Sequence, residues 1–413
     1  MDYTDPNLMQ LAAPEAQGFD ARRLGRIRPR MQGYVDSGNF SGITTLIARR
    51  GHIVHFEHTG VADQDTRAAL DGSTIFRIYS MTKPVVCTAL MTLYEEARFH
   101  LLEPVGKYLP AFAKVKVWND GQSLAEPVRP ITIRDLFTHT AGLTYNFLED
   151  TPVSRMYLDA GLLSDPGASL EAVIGELARM PLAYQPASRW HYSMGIDVLA
   201  HLIEVLSGRP LQEFLRERMF GPLGMEDTGF SVPEGKRPRV ASMYGHADIA
   251  TNQFSACIAA PTGAVDVSKT YPVDNATTFA RGGHGLFSTA TDYLRFAQML
   301  LNGGELDGER IISPAVAGLM HSNHLPASLM PYSIAIIPAP GYGFGLGSRV
   351  LLNPAESGLP GSVGEFGWAG AANTYYWVDP KLEIVGIYMT QHMMSVEMAQ
   401  RDFYLLAYQA VVE

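Results

Sequence analysis

The chain predicts an α/β protein of the α+β kind: an antiparallel sheet flanked by helices, with a mostly helical domain inserted between its strands. Three observations predict it. Runs of strand character lie at 43–48 and 52–56 and return only after residue 341. The stretch from 101 to about 223 has helical periodicity with proline-rich breaks. A helix near each end of the chain supplies a layer to cover the sheet. These runs place 1–95 together with 285–413 in one discontinuous domain and 96–284 in the helical insert.

Taken in order, residues 21–36 carry apolar side chains at helical spacing, and the glycine-bearing stretch 38–42 ends them. The runs at 43–48 and 52–56 flank Arg50-Gly51, a hairpin signature. Asp71-Gly72-Ser73-Thr74 reads as a turn, 75–78 as an apolar lead-in and 84–91 as an apolar helical body. Helices are expected over 169–180, 195–207 and 210–220, irregular chain over 229–280, and a helix over 289–302 closed by Gly303-Gly304. Strands are expected over 343–352, 363–368, 372–378 and 382–389, with Asp379-Pro380-Lys381 as a tight turn and a closing helix over 395–412. A cleft between the sheet and the helical block is the expected place for a site.

Composition narrows the function. The chain has 413 residues, enough for one large domain or two. With 42 acidic against 32 basic residues, it lacks the basic face that nucleic-acid binding requires. No apolar run reaches the roughly 18–20 residues of a bilayer span. The first residues, Met1-Asp2-Tyr3-Thr4-Asp5-Pro6, have neither the basic nor the apolar region of a secretory signal. Cys87 and Cys257 are the only cysteines, and Cys87 lies in the apolar helical body. Two buried thiols rather than a disulfide fit a reducing cytoplasm. The expectation is a cytoplasmic protein with no nucleic-acid or membrane partner. The sequence is silent on oligomeric state.

Ser80-Met81-Thr82-Lys83 is the only Ser-x-x-Lys in a chain with seven lysines, and it sits at an expected helix start. Pro84 suits a first helical turn, where its missing N–H costs nothing. Three residues is nearly one turn, so Ser80 and Lys83 share a face. A serine hydroxyl is a poor nucleophile until a base takes its proton, which a desolvated lysine can do. The partial positive charge of a helix N-terminus favours the alkoxide. Spacing alone proves little: 24 serines and 7 lysines give roughly 0.4 chance matches. The competing reading is a serine cap followed by a surface lysine.

Two further elements change that balance. His191-Tyr192-Ser193-Met194-Gly195 opens a helix in the insert, and Gly367-Trp368-Ala369-Gly370-Ala371 lies on a returning strand. With the three elements in this order, the chain resembles class C serine β-lactamases, penicillin-binding proteins and, most closely, family VIII carboxylesterases. Those families carry Ser-x-x-Lys, then Tyr-x-Asn or a Tyr-Ser variant, then Lys-Thr-Gly or a Trp-x-Gly variant. The stretches 136–143 and 282–304 also look like family text, and the resemblance spans about residues 20 to 410.

The resemblance implies a β-lactamase-like fold with Ser80 as nucleophile and Lys83 and Tyr192 moving its proton. An ammonium at Lys83 would lower the pKa of the Tyr192 phenol. Which of the two is the formal base stays open, since a coupled pair titrates as a unit. The backbone N–H groups of Ser80 and Ala371 are implied to hold an oxyanion. Trp368, Gly370 and Met194 are implied to line the substrate site. The competing reading of Trp368 is a buried core residue.

Two positions depart from the lactamase pattern. Met194 stands where that pattern has asparagine, and a thioether cannot make the amide's hydrogen bonds. Trp368 replaces a cation that would hold a substrate carboxylate. Together they imply an apolar site for short-chain esters, with at most weak β-lactamase activity. The expected function is a serine carboxylesterase acting on a small-molecule ester through an acyl-enzyme, with no cofactor and no metal. The alternatives are an acyltransferase of the same fold, a β-lactamase or D-amino-acid peptidase, and a penicillin-sensor-like binding domain. No Gly-x-Ser-x-Gly, His-Glu-x-x-His or Cys-x-x-Cys occurs, so a nucleophile elbow and a metal site have no support. His139 is expected to be a hydrogen-bonded structural residue, and His284 a loop residue.

Overall fold

Every residue of strand β1 (Gly42–Arg49) is buried, as expected of an apolar and β-branched run covered on both faces. The computed structural model describes residues 10–119, 123–148, 151–274, 279–395 and 397–413. After β1 the chain reverses through Arg50 and Gly51, with φ of 51° and 79°, into β2 (His52–Gly60). Positive φ at both central residues is the turn geometry that matches strand twist.

Five more strands come from the other end of the chain: β3 (Tyr342–Phe344), β4 (Arg349–Leu351), β5 (Phe366–Ala369), β6 (Tyr375–Asp379) and β7 (Ile384–Met389). They join the hairpin in one sheet of order β3-β4-β5-β6-β7-β1-β2, antiparallel at every pairing. The two chain ends meet where β1 pairs β7, from Thr44 opposite Met389 to Arg49 opposite Ile384.

Five helices frame the site: α1 (Ile27–Asp36), α2 (Thr82–Glu95), α3 (Gly195–Ser207), α4 (Ala290–Leu301) and α5 (Ala399–Tyr408), of which α1, α4 and α5 pack directly on the sheet. The period-2 alternation of β6 sorts them. Trp377 packs against Phe403 of α5, ring centroids 5.4 Å apart, in the core that α5 shares with α1. Tyr376 points the other way, 4.9 Å from Tyr293 of α4. On that side lies the larger core, where α2 packs against α3 of the inserted helical block.

Several boundaries differ from expectation. Residues 21–36 divide into a single turn (Ala21–Leu24) and α1. The run 343–352 is two short strands rather than one. Gly345 N–H donates to the Ser348 carbonyl at 2.8 Å, and Gly347 adopts φ 96°. A Cβ at Gly347 would fall 2.5 Å from Cys87 Sγ, so the turn is packed onto α2 through a glycine. The closing helix starts at Ala399, not 395; Val396, within the expected span, lies outside the described residues. The irregular stretch holds a short helix, Phe254–Ala259, and 275–278 also lie outside the described residues. Both cysteines are buried and unpaired. No helix among the described residues is long and apolar enough to cross a membrane.

Candidate active site

Ser80 occupies a one-turn 3-10 helix, Tyr79–Met81, that runs directly into α2. The residue before it, Tyr79, has φ 44° and packs its ring 4.8 Å from that of Tyr271. A bulky residue in the left-handed region costs about 1–3 kcal/mol and persists only where its surroundings impose it. Lys83, one turn further on, is 1% exposed. Its Nζ donates to Ser80 Oγ at 3.1 Å and to the Gly283 carbonyl at 2.7 Å.

Tyr192 arrives from the segment that leads into α3. That segment is braced: His191 N–H donates to the His139 carbonyl at 2.8 Å, and Met194 N–H donates to the Thr144 carbonyl at 3.3 Å. The Tyr192 hydroxyl donates to Ser80 Oγ at 2.8 Å. Trp368 Nε1 of β5 donates to the same phenol oxygen at 3.4 Å. Lys83 Nζ lies 4.6 Å from the Tyr192 ring centroid and 5.1 Å from that of Tyr145, within cation–π range of both. The three side chains expected around Ser80, namely Lys83, Tyr192 and Trp368, are therefore brought together.

Strand β5 ends beside Ser80. A Cβ on Gly370 would fall 2.4 Å from the Ile78 carbonyl oxygen and 2.2 Å from Thr374 Oγ1. Glycine is required here because the strand end lies directly on the backbone leading to Ser80. Ala371 follows, and neither its N–H nor that of Ser80 donates to any described protein group. Ser80, Tyr192, Trp368, Gly370 and Ala371 line one cavity of about 410 Å³. The rest of its wall is largely apolar, with Phe147, Ile249, Phe254, Ile334 and Leu359 among the contributors. A larger cleft of about 630 Å³, between Arg50 and Asn302, has neither serine nor cysteine in its lining.

Met194 does not line the cavity. It is fully buried in the main core at the start of α3, and its thioether faces packing rather than substrate. The amine of Lys83 is met instead by the Gly283 carbonyl. His139 is structural, as expected: its buried ring packs edge-on against Tyr192 at 4.8 Å, with Nδ1 3.3 Å from Ser193 Oγ. Burial, with the charges of Lys83 and His191, holds it neutral. His284 is half-buried and off the cavity wall, its pKa pushed down to about 3 by desolvation and by Arg281 and Lys83.

Three residues at the site escaped the sequence reading: Tyr145, Gly283 and Asp197. Asp197 left one signal, an acid in a helix where nearly every neighbour is apolar. It is fully buried, and its Oδ1 accepts the Gly283 N–H at 2.9 Å. Among the described residues no cluster of His, Cys, Asp and Glu could hold a metal ion.

Comparison with known proteins extends this local agreement to the whole chain. The family described as Beta-lactamase matches residues 27–411. Protein Rv1367c of Mycobacterium tuberculosis (strain ATCC 25618 / H37Rv) is 35% identical over 374 residues, covering 88% of this chain and 89% of that protein. Esterase EstB of Burkholderia gladioli is 30% identical over 355 residues, covering 84% and 85%. The solved structure described as EstCE1, a hydrolase with promiscuous acyltransferase activity, superposes with a TM-score of 0.78 at 26% identity, covering 95% and 99%. Matched from α1 to beyond α5, with Ser80, Tyr192 and Trp368 converging in one cleft, the chain belongs to the beta-lactamase family.

Proposed function

We propose that the protein is a serine carboxylesterase that hydrolyses short-chain carboxylic esters through an acyl-enzyme. The observation that carries this reading is Ser80 Oγ, which accepts hydrogen bonds from Lys83 Nζ at 3.1 Å and Tyr192 at 2.8 Å. Ser80 attacks the ester carbonyl while the Lys83–Tyr192 pair takes its proton and returns it to the leaving alcohol. The unoccupied N–H groups of Ser80 and Ala371 hold the oxyanion, a contribution of several kcal/mol in acyl transfer. A water activated by the same pair then releases the acid. The largely apolar wall, with Trp368 where the lactamase pattern has a cation, suits esters, although Arg349 and Arg401 also line the cavity. Esterase EstB, similar over most of the chain, supports the assignment by its name.

The test is a series of p-nitrophenyl esters of increasing chain length beside a chromogenic cephalosporin, on the wild type and Ser80→Ala. Ester turnover that disappears in Ser80→Ala supports the reading. Wild-type rates in that variant overturn it.

A second reading is acyl transfer to an alcohol instead of water. It is favoured by the apolar cavity beside Ser80, which would admit an apolar alcohol more readily than water. Product analysis with added alcohol separates the two.

A further inference from the structure

The cavity that holds Ser80 has a second, polar end. Arg349 and Arg401 line it, and no aspartate, glutamate or lysine does. The sheet register fixes where Arg349 lies. It pairs with Gly367 of β5, and Gly367 pairs with Trp377 of β6. Residues paired across antiparallel strands share a face, so Arg349 sits with Trp377 on the α5 side of the sheet. Trp368, the next residue along β5, points to the other side and meets Tyr192. Gly367 precedes Gly370, the strand end that abuts the Ser80 segment, by roughly 10 Å of strand. The cavity therefore runs from Ser80 past the end of β5, where Ala369, Gly370 and Ala371 line it, to a guanidinium on the opposite face.

That guanidinium is held firmly but only partly used. Its Cζ lies 4.9 Å from the ring centroids of both Tyr342 and Tyr375. Nη2 donates to the Tyr375 hydroxyl and, at a long 3.4 Å, to Glu365 Oε1. Nη1 donates to no described group, and Nε is buried without a hydrogen-bond partner among the described residues. Glu365 is engaged elsewhere: fully buried, its Oε2 accepts the Tyr404 and Tyr408 hydroxyls of α5. The Arg349 side chain keeps 15% exposure, so a ligand in the cavity can reach it. A guanidinium cannot shed its charge, and donors left empty in a largely dry site cost free energy that a bound acceptor recovers. On a wall with two cations and no acid, a planar carboxylate is the acceptor whose charge and shape fit.

We propose that the preferred substrates are esters with a carboxylate at the end remote from the reacting carbonyl, and that Arg349 selects them by binding that carboxylate through Nη1. This rests on the reading of Ser80 given above and leaves the chemistry there unchanged. The carboxylate belongs either to the acyl part, as in a half-ester of a dicarboxylic acid, or to the alcohol part, as in an ester of a hydroxy acid. The rest of the lining is largely apolar and suits the methylene spacer.

The experiment has two arms, one for each source of the carboxylate. The acyl arm compares mono-p-nitrophenyl esters of dicarboxylic acids, succinic to suberic, with p-nitrophenyl esters of the monocarboxylic acids of equal length. The alcohol arm compares acetyl esters of ω-hydroxy acids with those of the matching alkanols, followed by acetate release. At one or more lengths in one arm we expect the carboxylate to raise kcat/KM at least about tenfold, chiefly through KM. In Arg349→Gln that ratio is expected to fall to within about twofold of unity, and a ratio taken within one variant cancels any general loss of active protein. A wild type with no preference in either arm overturns the proposal, as does a preference that survives Arg349→Gln. Should a thermal melt show Arg349→Gln unfolded, Arg349→Lys carries the test. It keeps the charge beside Glu365 and loses the planar fork, so the preference falls at least about threefold, and an unchanged preference overturns the proposal. Calorimetry of the same ester pairs on Ser80→Ala reads the preference without turnover, and equal affinity for every pair overturns it too. Absence of ester turnover in the wild type would refute the reading of Ser80, while the calorimetric ratio still decides the Arg349 assignment.

Discussion

Tyr192 donates its phenol hydrogen to Ser80 Oγ at 2.8 Å, although the two residues are 112 positions apart in the chain. The contact exists because two helix starts converge. Ser80 lies at the head of α2, Tyr192 just ahead of α3, and the two helices pack on one another. The Ser80 hydroxyl lies between them, and Trp368 of β5 reaches the same phenol oxygen.

Tyr192→Phe is expected to lower kcat by about 10²–10⁴-fold and to change KM little, because a proton relay acts in the transition state. The lost hydroxyl also leaves Trp368 Nε1 without its acceptor, a modest stability cost of about 1 kcal/mol. Steady-state kinetics with a thermal melt separates the two effects. A kcat loss under about fivefold would reduce Tyr192 to a packing residue.

Ester and lactam carbonyls present the same electrophile to Ser80, so cephalosporins are expected to acylate the protein slowly. Trp368 supplies no cation at the position where the lactamase pattern has one, so a lactam carboxylate is left to Arg349 and Arg401 elsewhere on the wall, and a missing hydrogen bond to a charged group is worth about 1.5–3 kcal/mol. We expect kcat/KM for short-chain p-nitrophenyl esters to exceed that for a chromogenic cephalosporin by at least about a hundredfold. Equal values would assign the protein to the lactamases.

Met194→Asn is expected to destabilise the fold rather than to improve lactam turnover. Its side chain is fully buried, so the substitution removes apolar contacts and buries an amide without partners. The cost is about 2–4 kcal/mol, read as a shift in the urea or thermal midpoint. A stable variant with enhanced cephalosporin turnover would instead place this side chain on the cleft.

Asp292, in the first turn of α4, accepts the Asp227 N–H and the Thr228 hydroxyl, both at 2.8 Å, and burial pushes its pKa up to about 6. Its folded-state value lies above the unfolded value near 3.9, so the folded protein holds the extra proton between about pH 4 and 6. Stability therefore falls as pH rises through that window, by roughly 2–3 kcal/mol from this group. Asp292→Asn is expected to flatten the dependence of Tm on pH in that range. An unchanged slope would show that the carboxylate is ionised throughout.

The sequence alone carried whatever depends on near neighbours in the chain. Ser80 and Lys83 share a face because three residues is nearly one helical turn. The β1–β2 hairpin was legible because its turn residues and β-branched flanks signal locally, and α3 was legible from its period. The order of the three motifs was enough to point to the family.

Tertiary packing decided the rest. Periodicity marks residues 343–352 as strand, but the turn at 345–348 forms because Gly347 can lie directly on Cys87. Position within a motif put Met194 at the site, yet its thioether turned into the core and the Gly283 carbonyl took the place beside Lys83. Asp197 gave no motif at all. Its contact with Gly283 spans 86 positions and arises only when the 282–283 turn settles on α3. Patterns along a chain report local backbone preference and burial. Which side chains meet across the cleft follows from how the layers stack, and no short window of sequence contains that.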